Sequence, residues 1–580
     1  MGDLDQRDSV VELLTRPDGP FPVGRTQVRD VDLRVFTAAP DSLRDVLLTG
    51  RRWGDRSALT YEDEHWTWTE YLQAVGRFAG VLVETYGIRK GDRVALAARN
   101  YAEWVMAFAA TASVGAVCVP LNGWWTAGEL ANALADCSAA VVVADAERSA
   151  AIQSERHRLP ALRRVVEVRP TGAPTGDDTW DDLLAAHPEE FDLARVPIEP
   201  DDDVTIMYTS GTTGRPKGAV ATHRAHLTTL LNMQLHARVE AELAAARGTP
   251  LAPPSVPTTL IVGPLFHVAS LPRVISAAAT GTHLVLMRKW DARRAVELID
   301  REGVDTIPGA VPTVVAGLLD EVERSGAQVP SLRSLTSGGA QTTSALVART
   351  GTTFDHRVAS GTGYGLTETT GAMMLIGARD FWVRPMSVGR AFPTTEMRVV
   401  GQDGTDVPVD GVGEAWLRGA STAYRYWNQE SDAFDADGWF HSGDLVRVDD
   451  EGFVYVVDRI KDVVIRSGEN VYCSEVEDVL SSHPDVLESA VVGRPHEVFG
   501  EEVVAFVRPR PGAAPVEADL RQHVAGRLAP FKVPVEIHVQ TADFPRNAVG
   551  KVLKQELRRQ VTSGGVGQSA ESNGALWTSN

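Results

Sequence analysis

Apolar residues fall into short runs separated by polar, turn-rich segments, and their period switches repeatedly between that of a helix and that of a strand. Residues 42–50 carry helical spacing, ALTYEDEHWTW (58–68) reads as a hairpin, and a helical pattern over 69–86 leads to the strand RVALAA at 93–98. A helix near 101–113 precedes AVCVPL, and a helix at 127–136 precedes AAVVVAD. Alternation at this spacing predicts parallel α/β layers. EMRVV (396–400), GEAWLRG (413–419) and FVYVVD (453–458) are shorter strands with turn residues between them, which predict a smaller β subdomain. After Asp458 the pattern restarts with VVIRSG, a helix at 474–482, SAVVG, EEVVAFVRP, a helix at 517–528 and VEIHVQ. This is an α+β unit of about a hundred residues, within the usual domain range.

The expected fold class is α/β: a large N-terminal domain of layered α/β subdomains plus a β subdomain, with a small α+β C-terminal domain. Residues 1–40 read as an irregular N-terminal arm, and 562–580, rich in Gly, Ser and Asn, as a disordered tail. The uncharged run Trp104 to Gly128 is long enough to span a membrane, after Glu103. Its Ala, Gly and Ser content and the break at Pro120-Leu-Asn-Gly make it a buried helix followed by a buried strand.

Composition narrows the function classes. A chain of 580 residues exceeds one ordinary core. Its net charge of −20 argues against nucleic acid, which needs a cationic surface. Three cysteines without a CxxC pair fit a reducing cytoplasm, and the acidic N-terminus lacks the basic and apolar regions of a signal peptide.

The chemistry starts at YTSGTTGRPKGAV (208–220), a Ser/Thr/Gly loop delivered by the apolar strand VTIMYTS. Such a loop at a strand end suits an anion. A Walker loop places lysine directly after its last glycine. Here Gly214 is followed by Arg215, Pro216 and only then Lys217, which disfavours that geometry.

YTSGTTGRPKG resembles the phosphate loop of the adenylate-forming superfamily, which contains acyl-CoA synthetases, luciferases and peptide-synthetase adenylation domains. In order along the chain, GYGLTETT (363–370), GWFHSGDL (438–445), DRIKDVVIRSGENVYCSEVE (458–477) and PRNAVGKVLK (545–554) resemble further motifs of that family. The resemblance spans roughly residues 40 to 558 and implies an adenylation domain at 41–457, a hinge at 458–461 and a mobile C-terminal domain at 462–561.

It implies the following roles. Thr209, Ser210, Gly211, Thr212, Thr213, Gly214 and Lys217 hold the ATP phosphates; Glu368 holds Mg2+ and Thr367 contacts the α-phosphate. Asp444 accepts the ribose hydroxyls, helped by Arg459. Gly339 and Ala340 with Tyr364 and Gly365 form the adenine shelf and pocket wall. Lys551 bridges the acid carboxylate and the α-phosphate. Lys461 lies at the hinge, and Ser467 and Gly468 come to the site for the coenzyme A step. GPLFHVASL (263–271) places His267 beside the acyl channel, and Gly338, Gly339, Ala340 and Gly363 are expected to leave space for substrate.

No acidic residue near these segments matches an α-ammonium partner, which points to a fatty or aryl acid. The expected activity is an acyl-CoA synthetase using a carboxylic acid, ATP and coenzyme A in the cytoplasm, with a homodimer as the candidate assembly. Transfer to an amine or a carrier-protein thiol is the alternative acceptor chemistry. A luciferase-like oxygenase and a non-catalytic nucleotide-binding regulator are the weaker readings.

Overall fold

The computed structural model describes residues 3–209, 216–249, 256–547 and 550–562. The residues expected to form a disordered tail lie outside this description from residue 563 onward.

The alternating pattern folds as predicted. Strands Arg93–Ala97, Val117–Pro120, Val141–Asp145 and Arg164–Val168 pair in parallel within a seven-stranded sheet. The antiparallel strands Asp203–Thr209 and Lys217–Thr222 lie at one edge of that sheet. Their apolar runs are buried on both faces, which is why they read as continuous rather than alternating. The run tested as a membrane span forms the helix Ala102–Ser113 and the strand Val117–Pro120, both buried. No helix among the described residues is long and apolar enough to cross a membrane.

The second sheet has thirteen strands and changes character along its width. Parallel strands from Ser57–Tyr61 to Ala359–Leu366 give way to antiparallel partners from Gly371–Gly377 onward. The short strands expected to form a β subdomain are hydrogen-bonded into this sheet: Gly389 pairs with Val454, and Asp444 with Arg459.

The C-terminal unit is the predicted α+β fold. A sheet containing Val486–His496 and Gly500–Pro509 is covered by helices Cys473–Ser481 and Glu517–Ala525 on a core of Val464, Val476, Leu480 and Val491.

The expectation of an irregular N-terminal arm is corrected. Asp3–Thr15 is a helix, and Val23–Val28 with Val31–Phe36 is a hairpin. The helix packs Val10, Val11 and Leu14 onto Leu235, Val239 and Leu243 of the long helix His223–Ala246. Arg7 pairs with Glu240 and, at 2.9 Å, with Asp380. Tertiary docking stabilises a short segment whose own sequence signals are weak.

Candidate active site

Antiparallel register in the thirteen-stranded sheet sets Asp444 opposite Arg459. Asp444 is 3% exposed, and its Oδ2 accepts a 2.8 Å hydrogen bond from the Tyr364 hydroxyl. Arg459 Nε lies 2.8 Å from Oδ1 but off the hydrogen-bond axis, so Oδ1 remains a buried acceptor without a donor. Buried acceptors are normally satisfied. A ligand hydroxyl would fit this acceptor.

Lys551 reaches the same place from the C-terminal unit. Asn547 and Lys551 exchange two 2.9 Å hydrogen bonds that close the loop between them. Gly550 has φ +85°, and a Cβ built on it would stand 3.3 Å from Val311 Cγ2, so both the backbone and the contact call for glycine. Gly339, at φ +75°, faces Cγ1 of the same valine at 3.5 Å. The Lys551 ammonium lies among Arg459, Asp444, Asp462 and Lys461; burial and the Arg459 charge lower its pKa to about 8. The loop is anchored by the Lys554–Glu477 pair at 2.6 Å. Across the two domains, the Ser344 hydroxyl donates to Asp478 Oδ1 at 3.1 Å.

Glu368 occupies the single 3-10 turn Thr367–Thr369 and is buried. Its Oε1 accepts a 2.8 Å hydrogen bond from the Tyr426 hydroxyl, and Lys217 Nζ lies 5.1 Å from the Tyr426 ring centre. Burial raises the Glu368 pKa, and the Tyr426 hydrogen bond opposes that rise. A buried carboxylate whose hydrogen bonds come from the Tyr426 hydroxyl and its own backbone N–H, and whose pKa burial still raises, fits a divalent cation. Among the described residues no cluster of three or more His, Cys, Asp or Glu side chains could hold a metal. Phosphate and water oxygens would therefore complete the shell around Glu368.

Thr209 pairs with Lys217 across the neck of the phosphate loop. Ser210, Gly211, Thr212, Thr213 and Gly214 lie outside the described residues. The sequence reading missed Tyr426, which connects Lys217 to Glu368. Its signal was the aromatic run AYRYW, whose partners are about 60 and 200 positions away in the chain.

His267 lies in the turn before the helix Leu271–Thr280, and its Nδ1 accepts from the Ala269 N–H at 3.2 Å. Burial lowers its pKa to about 4. The ring is thus neutral near pH 7 and carries its proton on Nε2.

Not every small residue opens space for substrate. A Cβ on Gly363 would lie 2.3 Å from Leu375 Cδ2, because β-pairing sets Leu375 opposite it. That correction moves Gly363 from pocket volume to sheet packing. Gly365 is equally constrained: a Cβ built on it would lie 1.9 Å from the Gly371 carbonyl oxygen. Ala340 follows Gly339 in the segment after the strand Ser334–Ser337.

Lys461 is exposed in the turn after Arg459. Ser467 and Gly468 form the exposed tip of the hairpin Val464–Arg466/Glu469–Val471, with φ of +53° and +84°. Ser467 N–H donates to the Phe499 carbonyl, within the C-terminal unit. The structure does not bring this tip together with Asp444 and Lys551.

The AMP-binding enzyme model matches residues 48–427, and the AMP-binding enzyme C-terminal domain model matches 475–551. The chain belongs to the AMP-binding enzyme family. Within that family it is 34% identical over 507 residues to the long-chain-fatty-acid–CoA ligase FadD13 of Mycobacterium tuberculosis, covering 86% of this chain and 94% of the relative. It is 33% identical over 497 residues to a feruloyl-CoA synthase of an Amycolatopsis species, covering 85% and 94%. The crystal structure of the anthranilate CoA ligase AuaEII in complex with anthranoyl-AMP matches with a TM-score of 0.78 and 26% identity, covering 90% of this chain and 98% of that one. The two AMP-binding enzyme models include the phosphate-loop neck and the lysine loop, and leave the stretch 428–474, with Asp444 and Arg459, between them.

Proposed function

We propose that the protein is an ATP-dependent, AMP-forming acid–CoA ligase acting on a fatty or aryl carboxylic acid. A carboxylate oxygen attacks the α-phosphorus of ATP, the bond to the bridging oxygen breaks, and pyrophosphate leaves. The sulfur of coenzyme A then attacks the acyl carbon of the adenylate, and AMP leaves.

The observation that carries this reading is the convergence of Lys551 from one domain with Asp444, Arg459 and Tyr364 from the other. Asp444 holds the ribose hydroxyls with Arg459 alongside. Lys551 is the cation between the acid carboxylate and the α-phosphate, where developing negative charge needs a fixed partner. Thr209 and Lys217, with Ser210, Gly211, Thr212, Thr213 and Gly214, grip the departing phosphates, and Thr367 contacts the α-phosphate. Glu368 would hold magnesium, which neutralises phosphate charge when bound. Gly339, Ala340, Tyr364 and Gly365 shape the adenine side. His267, neutral and with Nε2–H available, lines the acid channel and orients the carboxylate without acting as a base.

For the second half-reaction, the C-terminal domain 462–561 turns about the hinge at 458–461, withdrawing Lys551 and presenting Ser467 and Gly468 to the pantetheine chain. Lys461 sits at that hinge. A cytoplasmic location and a homodimer accompany the reading; fractionation and sedimentation test them.

A panel of carboxylic acids with ATP, with and without coenzyme A, is the direct test. AMP and a thioester are expected only when all three are present. AMP formed only with an added amine or carrier protein would replace coenzyme A as the acceptor.

A further inference from the structure

Two helices exchange caps across the domain boundary. The helix Ser344–Thr353 of the large domain begins a few residues after Gly339 and Ala340, and its N-cap Thr343 accepts the Leu346 N–H. Its first residue, Ser344, directs both its N–H and its hydroxyl at Oδ1 of Asp478 in the C-terminal unit, at 3.2 and 3.1 Å. In return, Tyr472 precedes the helix Cys473–Ser481, which carries Asp478, without a capping hydrogen bond from its side chain. The Cys473 N–H donates instead to Oδ2 of the buried Asp458 at 2.6 Å, and the Ser474 hydroxyl donates to the Val457 carbonyl. Val457 and Asp458 belong to the strand Val454–Arg459, which is hydrogen-bonded into the thirteen-stranded sheet. Each domain thus sets an aspartate at the start of the other's helix, where backbone N–H groups lack partners and the helix dipole favours negative charge.

The two contacts lie about 7 Å apart along the Cys473–Ser481 helix. One bond would leave that helix free to swivel; two fix its direction. The same helix holds the lysine loop, because Glu477 pairs with Lys554 at 2.6 Å and accepts the Val491 N–H at 2.7 Å. Lys554 begins the helix Lys554–Thr562 three positions after Lys551. A continuous path of bonds therefore runs from the large domain, through one helix, to the loop that carries the catalytic cation. A turn of 462–561 about the hinge takes Asp478 with it and leaves Ser344 behind, so the second contact must break.

We propose that this exchange of caps is the clasp that fixes the C-terminal unit in its adenylation orientation, with Asp478 a positioning residue that acts on Lys551 through Glu477 and Lys554. The clasp opens for the coenzyme A step. This rests on the acid–CoA ligase reading and on its turn about the hinge.

The test separates the half-reactions in the full chain. Asp478→Ala should slow acid-dependent pyrophosphate exchange about tenfold, the scale of a charge-assisted hydrogen bond, while thioester formation from supplied acyl-adenylate stays within about threefold. Asp478→Asn keeps an acceptor oxygen without the charge and should fall between the two. Ser344→Ala should cause part of the same loss, and adding it to Asp478→Ala should cost little more, since both act on one contact. A second readout needs no turnover. Cys118, Cys137 and Cys473 are buried, so spin labels go to Asp63→Cys and Val516→Cys, both exposed and on different domains. With ATP bound, one interdomain distance should dominate in the otherwise unmodified chain, and Asp478→Ala should raise the ratio of a second distance to the first about tenfold. Equal loss in both half-reactions, loss in neither, or a distance distribution that Asp478→Ala leaves unchanged overturns the inference. Ser344→Ala, which removes only a hydroxyl, decides the point where Asp478→Ala folds poorly. No AMP from any acid overturns the ligase reading and this inference together, whereas AMP formation with both half-reactions equally affected overturns only the clasp.

Discussion

Two loops of the C-terminal unit carry glycines in left-handed backbone, and they are held very differently. Gly550 is pressed against Val311 of the large domain, in a loop closed by Asn547 and braced by the Lys554–Glu477 pair. Gly468 sits at an exposed hairpin tip with nothing within 4 Å of a built Cβ. One glycine allows a tight approach that already exists; the other leaves room for an approach that does not. The difference fits an enzyme that presents the two loops in turn to one site.

The strongest way to break this comparison is Lys551→Ala. Acid-dependent pyrophosphate exchange should fall about 1000-fold, the scale of removing a charge-stabilising group, while thioester formation from supplied acyl-adenylate stays within about threefold. Equal loss in both assays would deny the two loops separate duties.

Gly468→Val tests the other side. A branched residue at φ +84° strains the hairpin by about 1–2 kcal/mol and fills the open tip. The coenzyme A step should slow about tenfold with adenylation preserved. If adenylation drops in parallel, the tip serves stability and not acceptor access.

A smaller effect sharpens the picture through pH. Lys551 has its pKa lowered to about 8, so the charged form dominates at pH 7 and is lost as pH rises. kcat/KM for adenylation should halve near that value, with the alkaline limb of kcat lying higher because bound ATP favours the ammonium. An alkaline limb that persists unchanged in Lys551→Arg would assign it to another group.

Much of the site was legible because its parts are local. The GLTE turn, the SGDL strand and the GK loop each place side chains through neighbouring backbone, and strand register then pairs Asp444 with Arg459. What escaped the reading depends on distant partners. Tyr426 matters through Glu368 and Lys217, and Gly363 is fixed by Leu375 across a strand pair. The N-terminal helix was misread as irregular because its stabilising contacts come from residues 235–243, 380 and 390.

That last arrangement also sets a timetable for biosynthesis. Asp8 pairs with Arg390, 382 positions later in the chain. At ribosomal rates of 5–20 residues per second, roughly 20 to 80 s separate the emergence of the two. Asp8 therefore waits for Arg390 through that interval, whereas Val10, Val11 and Leu14 stay available to chaperones only until the long helix His223–Ala246 emerges.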